Sequence, residues 1–270
     1  MKFSPITSQD IDALIPLQPA DWKDIRVVFR MHHGRNYFSA FKGVIDDQMI
    51  VVGHIIYCGE VAWLGNIIVH PSHRKRGYAK LMTTFLMNEI RLTGISNIYL
   101  LATEMGYPVY EKLGFTLFNH YIFNSIVSLD KTSTYISMVR KCVDSDLPAI
   151  LKLDFETMGY DRSYILKFHI NDAWVYESKS IKGFFMPNLG DGLIIAKDEH
   201  SGWALSKIRV EMGKDYLVIP EEQQTTIRIL YLENGFQLNP TGRIAYFMYQ
   251  GRTPQIKSPM IYSRIGGYLG

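Results

Sequence analysis

Three consecutive basic residues precede an apolar helical pattern in the stretch "VHPSHRKRGYAKLM" (69–82). They are Arg74, Lys75 and Arg76, and Gly77 follows them directly. The first N–H groups of a helix have no intrahelical acceptor and carry partial positive charge, so cations are the wrong charge here. A bound anion would compensate both the cations and the N–H groups. The pattern therefore indicates an anion site, and its alternative is a solvated basic turn.

The segments around this turn predict a mixed α/β fold built on one sheet. Two helices are expected first, "SQDIDALIPL" capped by Ser8 and a second that ends before Gly34. Three short runs rich in Val, Ile and aromatic residues follow, typical of an antiparallel meander. A helix, a strand, a short helix and a strand complete the order by about Val127. The long helix is expected to bury Leu81, Phe85, Leu86 and Ile90.

A similar order of elements begins again in the second half of the chain. The two halves share a specific motif, Tyr-x-x-x-Gly-Phe, which occurs as "YEKLGF" (110–115) and as "YLENGF" (231–236). This favours an internal duplication whose period exceeds that of solenoid repeats. We therefore predict one domain over residues 1–127, a polar linker over 128–134, and a second copy over 135–270.

Composition narrows the classes of function. The chain has 270 residues, 47% of them hydrophobic, and a net charge of +3, a mild excess that gives no strong case for nucleic acid or a membrane as partner. Its two cysteines do not make a disulfide framework, so a reducing compartment is favoured. The first residues are not expected to form a signal peptide, because they lack a long apolar core, and no run reaches the roughly twenty apolar residues of a spanning helix. We expect a cytoplasmic monomer or homodimer; the histidines lack recurring metal spacing, so no metal is expected.

The stretch "IIVHPSHRKRGYAKLM" (67–82) resembles the acyl-CoA-binding motif of the GNAT N-acetyltransferase superfamily. That motif reads Arg/Gln-x-x-Gly-x-Gly/Ala, and residues 74–79 match it. The context is similar too, because "LLATEMGYPVYEKLGF" (100–115) supplies the strand and Tyr-containing short helix that follow the motif in this family. The resemblance implies two tandem GNAT-like domains, as in bacterial tandem-GNAT proteins with an intact first and a degenerate second domain.

The resemblance also implies acetyl-CoA as cosubstrate. Gly77 and Ala79 would let the backbone approach the pyrophosphate closely, and Arg74, Lys75 and Arg76 would contact phosphate oxygens. Tyr78 lies within the same signature. The strand before the turn would run beside the pantetheine arm, where an N–H near Ile68 or Val69 would hold the oxyanion. The predicted cofactor-binding residues are thus Ile67, Ile68, Val69, Arg74, Lys75, Arg76, Gly77, Tyr78 and Ala79.

The predicted catalytic residues are Tyr110 and Glu104, of which only Tyr110 follows from the resemblance. Tyr110 matches the tyrosine that protonates the leaving thiolate, and a phenol has a pKa near 10, close to that of a thiol. The general base is poorly marked: Glu60, Glu104, His54 and Asn66 are all possible, and Glu104 is the best of them. Leu101 stands where relatives commonly have an acid.

The second copy departs from the motif. At the place of the phosphate loop it reads "KDEHSG" (197–202), where Asp198 and Glu199 would repel phosphates. It is therefore expected to bind no coenzyme A. Residues 158–168 and 186–192 could line a wall of the acceptor pocket, although ordinary core and turn is the alternative.

The function predicted from the sequence is N-acetyl transfer from acetyl-CoA to a primary amine of a small molecule, by direct attack in a ternary complex. The alternative is a non-catalytic protein that binds or senses acyl-CoA. A nucleic-acid-binding module is disfavoured by the weak net charge.

Overall fold

The computed structural model describes residues 1–129 and 138–265. The chain divides into two compact units. The first contains Met1–Leu117 and Met248–Thr253, and the second contains Phe118–Phe247 and Pro254–Gly266, in both cases as far as the described residues reach. Residues 130–134 of the predicted linker, and 135–137 and 266–270 of the predicted second domain, lie outside the described residues. The boundaries predicted at 127 and 135 stay predictions.

The first unit carries the meander and the crossover that the sequence predicts. Its elements are strand β1 (Lys2–Pro5), helix α1 (Arg26–His32), strands β2 (Phe38–Ile45), β3 (Gln48–Cys58) and β4 (Val61–Val69), helix α2 (Tyr78–Leu92), strand β5 (Asn97–Ala102) and helix α3 (Tyr107–Glu111). The strands lie in the order β1-β2-β3-β4-β5. Pairing is antiparallel up to β4, whereas β4 and β5 are parallel.

Two local predictions for this unit were wrong. The first predicted helix is a pair of 3₁₀ turns, Ser8–Asp10 and Asp12–Leu17, because Pro16 cannot donate an α-helical hydrogen bond. Its cap is Thr7 rather than Ser8: the Asp10 carboxylate accepts hydrogen bonds from the Thr7 N–H and hydroxyl, both at 2.8 Å. Strand β1 was not predicted.

Helix α2 packs against β3 and β4. Met82, Leu86 and Ile90 are fully buried on its inner face. Gly53 on β3 permits this approach, since a Cβ there would lie 2.8 Å from Leu86 Cδ1. Leu81, which was predicted to be buried, is 49% exposed, because Met82 takes the core position.

The second unit contains a separate antiparallel sheet. Its strands are β6 (Thr116–Ser128), β7 (Val139–Lys141), β8 (Trp174–Glu177), β9 (Ile181–Met186), β10 (Leu193–Ala196), β11 (Tyr216–Pro220), β12 (Phe236–Gln250) and β13 (Ile261–Ser263). Its helices are α4 (Leu147–Met158), α5 (Ser163–Phe168), α6 (Glu199–Glu211) and α7 (Gln224–Glu233). Strand β6 begins in the first unit, and strand β12 ends there. The sheet has the order β13-β10-β9-β8-β7, and β6 pairs with β11. The predicted pair β8 and β9 is confirmed.

Cys58 and Cys142 are not joined by a disulfide. Among the described helices, none has the length and apolar character needed to cross a membrane.

Candidate active site

The candidate site begins where β4 and β5 diverge. Their parallel pairing runs from Val61 opposite Asn97 to Leu64 opposite Leu100. Beyond that point β4 continues to Val69 and still pairs with β3 on its other side. Residues 65–69 therefore present an edge that β5 does not cover within the described chain. Unpaired main-chain groups on a strand edge can bind an extended ligand, and Ile67, Ile68 and Val69 lie on this edge.

A β-bulge at Asn66 coincides with this divergence. Ile68 lies opposite Val52 and Gly65 lies opposite His54, so two residues of β4 face the single residue Gly53 of β3. Asn66 has φ 46°, a left-handed conformation that asparagine tolerates better than most residues. Bulges bend the strand that carries them and increase its twist. The bulge lies just beyond the last residue pair of β4 and β5, Leu64 opposite Leu100.

The turn after β4 leads directly into α2. It contains a 3₁₀ turn, Pro71–His73, and the Arg74 side chain donates to the Val69 carbonyl oxygen at 3.3 Å. Lys75 and Gly77 both have positive φ, at 62° and 83°. A Cβ added at Gly77 would meet nothing within 4 Å. The glycine is therefore needed for its backbone conformation, and open space lies beside it.

The positive end of α2 has no side-chain cap. Gly77 is the N-cap residue, and the first helical bond runs from the Leu81 N–H to its carbonyl oxygen at 3.1 Å. Arg74, Lys75 and Arg76 are exposed, and none forms an ion pair within the described residues. Open N–H groups, three cations and a glycine cradle fit a pyrophosphate or phosphate anion. Of the predicted residues, 74–77 form the turn and Tyr78 and Ala79 begin α2.

Tyr110 lies on α3, which follows the carboxyl end of β5 and packs against α2. Its ring meets Phe115 edge-on at 6.0 Å between centroids. Gly106 leaves room for it, since a Cβ there would lie 3.1 Å from Tyr110 Cε2. Burial raises the pKa of the Tyr110 phenol above its ordinary value near 10. The hydroxyl therefore keeps its proton at neutral pH, as a proton donor must.

The base candidates lie at different ends of the strands. Glu104 is exposed and follows the carboxyl end of β5, the edge at which β4 and β5 diverge. Glu60 lies in the turn between β3 and β4, at the opposite end of β4. His54 is fully buried, with ring centroids 5.0 Å from Phe38 and 5.7 Å from Phe29. This placement favours Glu104, whose role stays a prediction.

In the second unit, the N-terminus of helix α6 is capped by a side chain of the chain itself. The Asp198 carboxylate accepts a hydrogen bond from the Ser201 N–H at 2.8 Å and caps α6. One of the N–H groups that could bind a phosphate is thus already occupied. That this copy binds no coenzyme A stays a prediction.

Strand β13 fills the corresponding strand gap in the second unit. It pairs with β10, where Ser263 lies opposite Ile194, and the Arg264 N–H donates to the Val218 carbonyl oxygen of β11 at 3.0 Å. The main-chain edges of β10 and β11 are therefore occupied by the chain itself. Sequence reasoning missed β13, because a three-residue strand carries almost no periodic signal.

The segments suggested as pocket walls belong to this unit. Within 158–168, Arg162 is fully buried and its guanidinium makes a bidentate ion pair with Asp154 at 2.7 to 3.1 Å. Within 186–192, Leu189 is fully buried. Both contain core residues, and their role toward an acceptor stays a prediction. Among the described residues no cluster of three metal-ligating side chains occurs.

Comparison with protein families gives a match over residues 35–117 to the acetyltransferase (GNAT) domain. The match spans β2 to α3 and includes the diverging strands, the basic turn and Tyr110. The predicted GNAT motif lies within the matched residues and the mixed α/β fold is confirmed; the match supports the assignment as a transferase enzyme, and the chain fits an arrangement of two domains.

Solved structures with a similar fold include one that matches this chain over its whole length. A protein from Pyrococcus horikoshii, assigned as an acetyltransferase, superposes with a TM-score of 0.83 at 16% identity, covering 100% of this chain and 95% of that one. The ribosomal-protein-S18-alanine N-acetyltransferase from Escherichia coli gives a TM-score of 0.40 at 18% identity, covering 49% and 84%. Spermidine/spermine N-acetyltransferase SpeG from Vibrio cholerae gives 0.38 at 17%, covering 45% and 81%. No curated protein matches the chain.

Proposed function

We propose that this protein transfers an acetyl group from acetyl-CoA to a primary amine of a small molecule, by direct attack in a ternary complex. One observation carries the proposal: the uncovered edge of β4 runs straight into an uncapped helix terminus with three cations. An extended amide-bearing arm that ends in phosphates needs this succession of sites. The GNAT family match supports it.

The basic turn would hold the nucleotide end of the cosubstrate. N–H groups of residues 77–79 donate to pyrophosphate oxygens, and Arg74, Lys75 and Arg76 add charge-assisted contacts. Main-chain groups of Ile67, Ile68 and Val69 bond to the amides of the pantetheine arm in the manner of an added strand. The turn thereby sets the register of the thioester along β4.

The residues then act on a thioester carbonyl, the electrophile that acetyl-CoA supplies. As the amine nitrogen bonds to the carbonyl carbon, an N–H at Ile68 or Val69 stabilises the negative charge on the carbonyl oxygen. Tyr110 donates its proton to the sulfur as the C–S bond breaks. Glu104, directly or through water, accepts the proton that the amine loses. One proton leaves nitrogen and one arrives at sulfur, so the products are an amide and a thiol.

The proposal that the acceptor is a small molecule rests on the net charge of the chain. A net charge of +3 offers no strong field for docking a charged protein tail, which favours a small amine. The direct test is a thiol-release assay of the full chain with acetyl-CoA against amino acids, polyamines and aminoglycosides. Acetyl-CoA-dependent thiol release that requires an amine supports the proposal. Binding of acetyl-CoA without release for any amine would instead support a sensing protein.

A further inference from the structure

Asn66 has a buried amide with no hydrogen-bond partner. The residue is 6% exposed, and its Nδ2 atom is buried with no acceptor within hydrogen-bond distance. Almost all buried polar groups in folded proteins have a partner, since an unmade bond leaves the loss of hydration uncompensated. An orphaned donor that persists at one position therefore points to an acceptor that arrives from outside the chain.

The position of Asn66 indicates which acceptor this is. It is the second residue beyond the last pair of β4 and β5, Leu64 opposite Leu100. It is also the bulge residue, which the ladder to β3 leaves unpaired. Asn66 thus lies just beyond the end of the β4–β5 pairing, two residues before Ile68 and three before Val69.

The backbone alone does not account for an asparagine here. The left-handed φ of 46° would be met at least as well by glycine. Glycine would also remove the orphaned donor. What asparagine adds is a neutral N–H donor whose charge does not change with pH, unlike that of a histidine or a lysine.

We propose that the Asn66 Nδ2 group donates a hydrogen bond to the carbonyl oxygen of the bound acyl thioester and stabilises the oxyanion together with the β4 backbone. This inference rests on the proposed function. In the step, the amine nitrogen bonds to the carbonyl carbon and an electron pair moves onto the oxygen that Asn66 faces. The pair returns as the C–S bond breaks, Tyr110 protonates the sulfur, and the proton lost by the amine goes to Glu104 or water.

Asn66→Gly tests this assignment because it keeps the left-handed backbone and removes the amide. Asn66→Asp keeps the shape and replaces the donor by an anionic acceptor. We expect kcat to fall about 10²-fold in Asn66→Gly and at least as far in Asn66→Asp, as for other oxyanion donors. Asp46→Gly is the matched control, since Asp46 also has a left-handed φ, 47°, but lies in the exposed turn between β2 and β3.

Binding gives a second readout that does not depend on turnover. Because only acetyl-CoA carries the carbonyl, Asn66→Gly should weaken acetyl-CoA binding several-fold and leave CoA binding unchanged in calorimetry. In ¹⁵N spectra, the side-chain amide signals that Asn66→Gly removes should shift with acetyl-CoA and not with CoA.

If Asn66→Gly weakens the binding of acetyl-CoA and of CoA equally, or leaves kcat unchanged, the role given to Asn66 is wrong and the proposed function still stands. Wild-type protein that binds neither ligand would overturn the proposed function and this assignment with it. The two failures are thereby distinguished.

Discussion

The Asp198 carboxylate accepts a hydrogen bond from the Ser201 N–H at 2.8 Å and so closes the N-terminus of α6. At the corresponding place in the first unit, Gly77 begins α2 without a side-chain cap. The two helix termini differ in whether the chain supplies its own anion. In the first unit, where the N-terminus of α2 has no side-chain cap, β5 also leaves the edge of β4 unpaired beyond Leu64.

Replacement of Asp198 by alanine should destabilise the protein without creating a second CoA site. Loss of an N-cap typically costs about 1 kcal/mol, so the urea midpoint of the second unit should fall. CoA stoichiometry should stay at one per chain, because β13 still occupies the edges of β10 and β11. Glu199→Ala, one residue along and without the capping bond, is the control. A stoichiometry of two in Asp198→Ala would contradict the role given to β13.

Arg76→Glu should weaken CoA binding at least about tenfold, since a hydrogen bond to a charged group contributes about 1.5–3 kcal/mol and the new carboxylate repels phosphate. Calorimetry at two salt concentrations measures this, and the residual binding should depend less on salt. Arg91→Glu makes the same change of charge in the last turn of α2 and separates a local from a net-charge effect. Equal losses in the two variants would argue against a phosphate site at the basic turn.

The ion pair of Asp146 with Arg140 should make the stability of the second unit depend on pH in the acid range. It accepts hydrogen bonds from Arg140 at 2.7 and 2.9 Å and from the Val143 N–H at 2.8 Å. The Arg140 guanidinium is the main cause that lowers the pKa of Asp146 to about 2. Because the folded pKa lies below the ordinary value of 3.8, this stabilisation is present above about pH 4 and is lost as the pH falls toward 2.

Asp146→Asn should therefore lower the free energy of unfolding by about 1–2 kcal/mol at pH 7, with the difference from wild type shrinking toward pH 2. Chemical denaturation at several pH values measures it. Asp144→Asn on the same 3₁₀ turn is the matched control. A difference that is constant with pH would mean that the carboxylate acts by shape alone.

Much of the first unit was predictable because its signals are local. The order of strands and helices, and the basic turn that leads into α2, depend on short runs of residue types. The same locality explains the error at Leu81, since α2 is amphipathic and the choice between Leu81 and Met82 depends on how β3 packs against it.

Features that depend on pairing between distant segments were not predictable. The bulge at Asn66 depends on the register of β4 against β3, although "LGNII" carries the Gly-Asn pair that often marks a bulge within a strand. Strand β13 pairs with β10 across some seventy residues of chain, so its three residues show no pattern of their own.

Replacement of Tyr110 by phenylalanine should separate catalysis from binding. The variant removes the hydroxyl and keeps the ring that packs on Phe115, so CoA affinity should not change. Without the proton donor, kcat should fall about 10²-fold or more, within the usual range for a general acid. Calorimetry and thiol release measure the two quantities. Tyr107→Phe, on the same helix, is the control.

The pH profile tests the same role independently. Burial raises the pKa of Tyr110 above 10, so the wild-type enzyme should show no loss of kcat from phenol ionisation between pH 7 and 10. Activity should instead fall on the acid side, where the general base and the attacking amine become protonated. An alkaline limb near pH 8 or 9 that disappears in Tyr110→Phe would show that the phenol ionises in the working range. Such a limb would contradict the role of Tyr110 as a neutral donor, because a tyrosinate has no proton to give to the leaving sulfur.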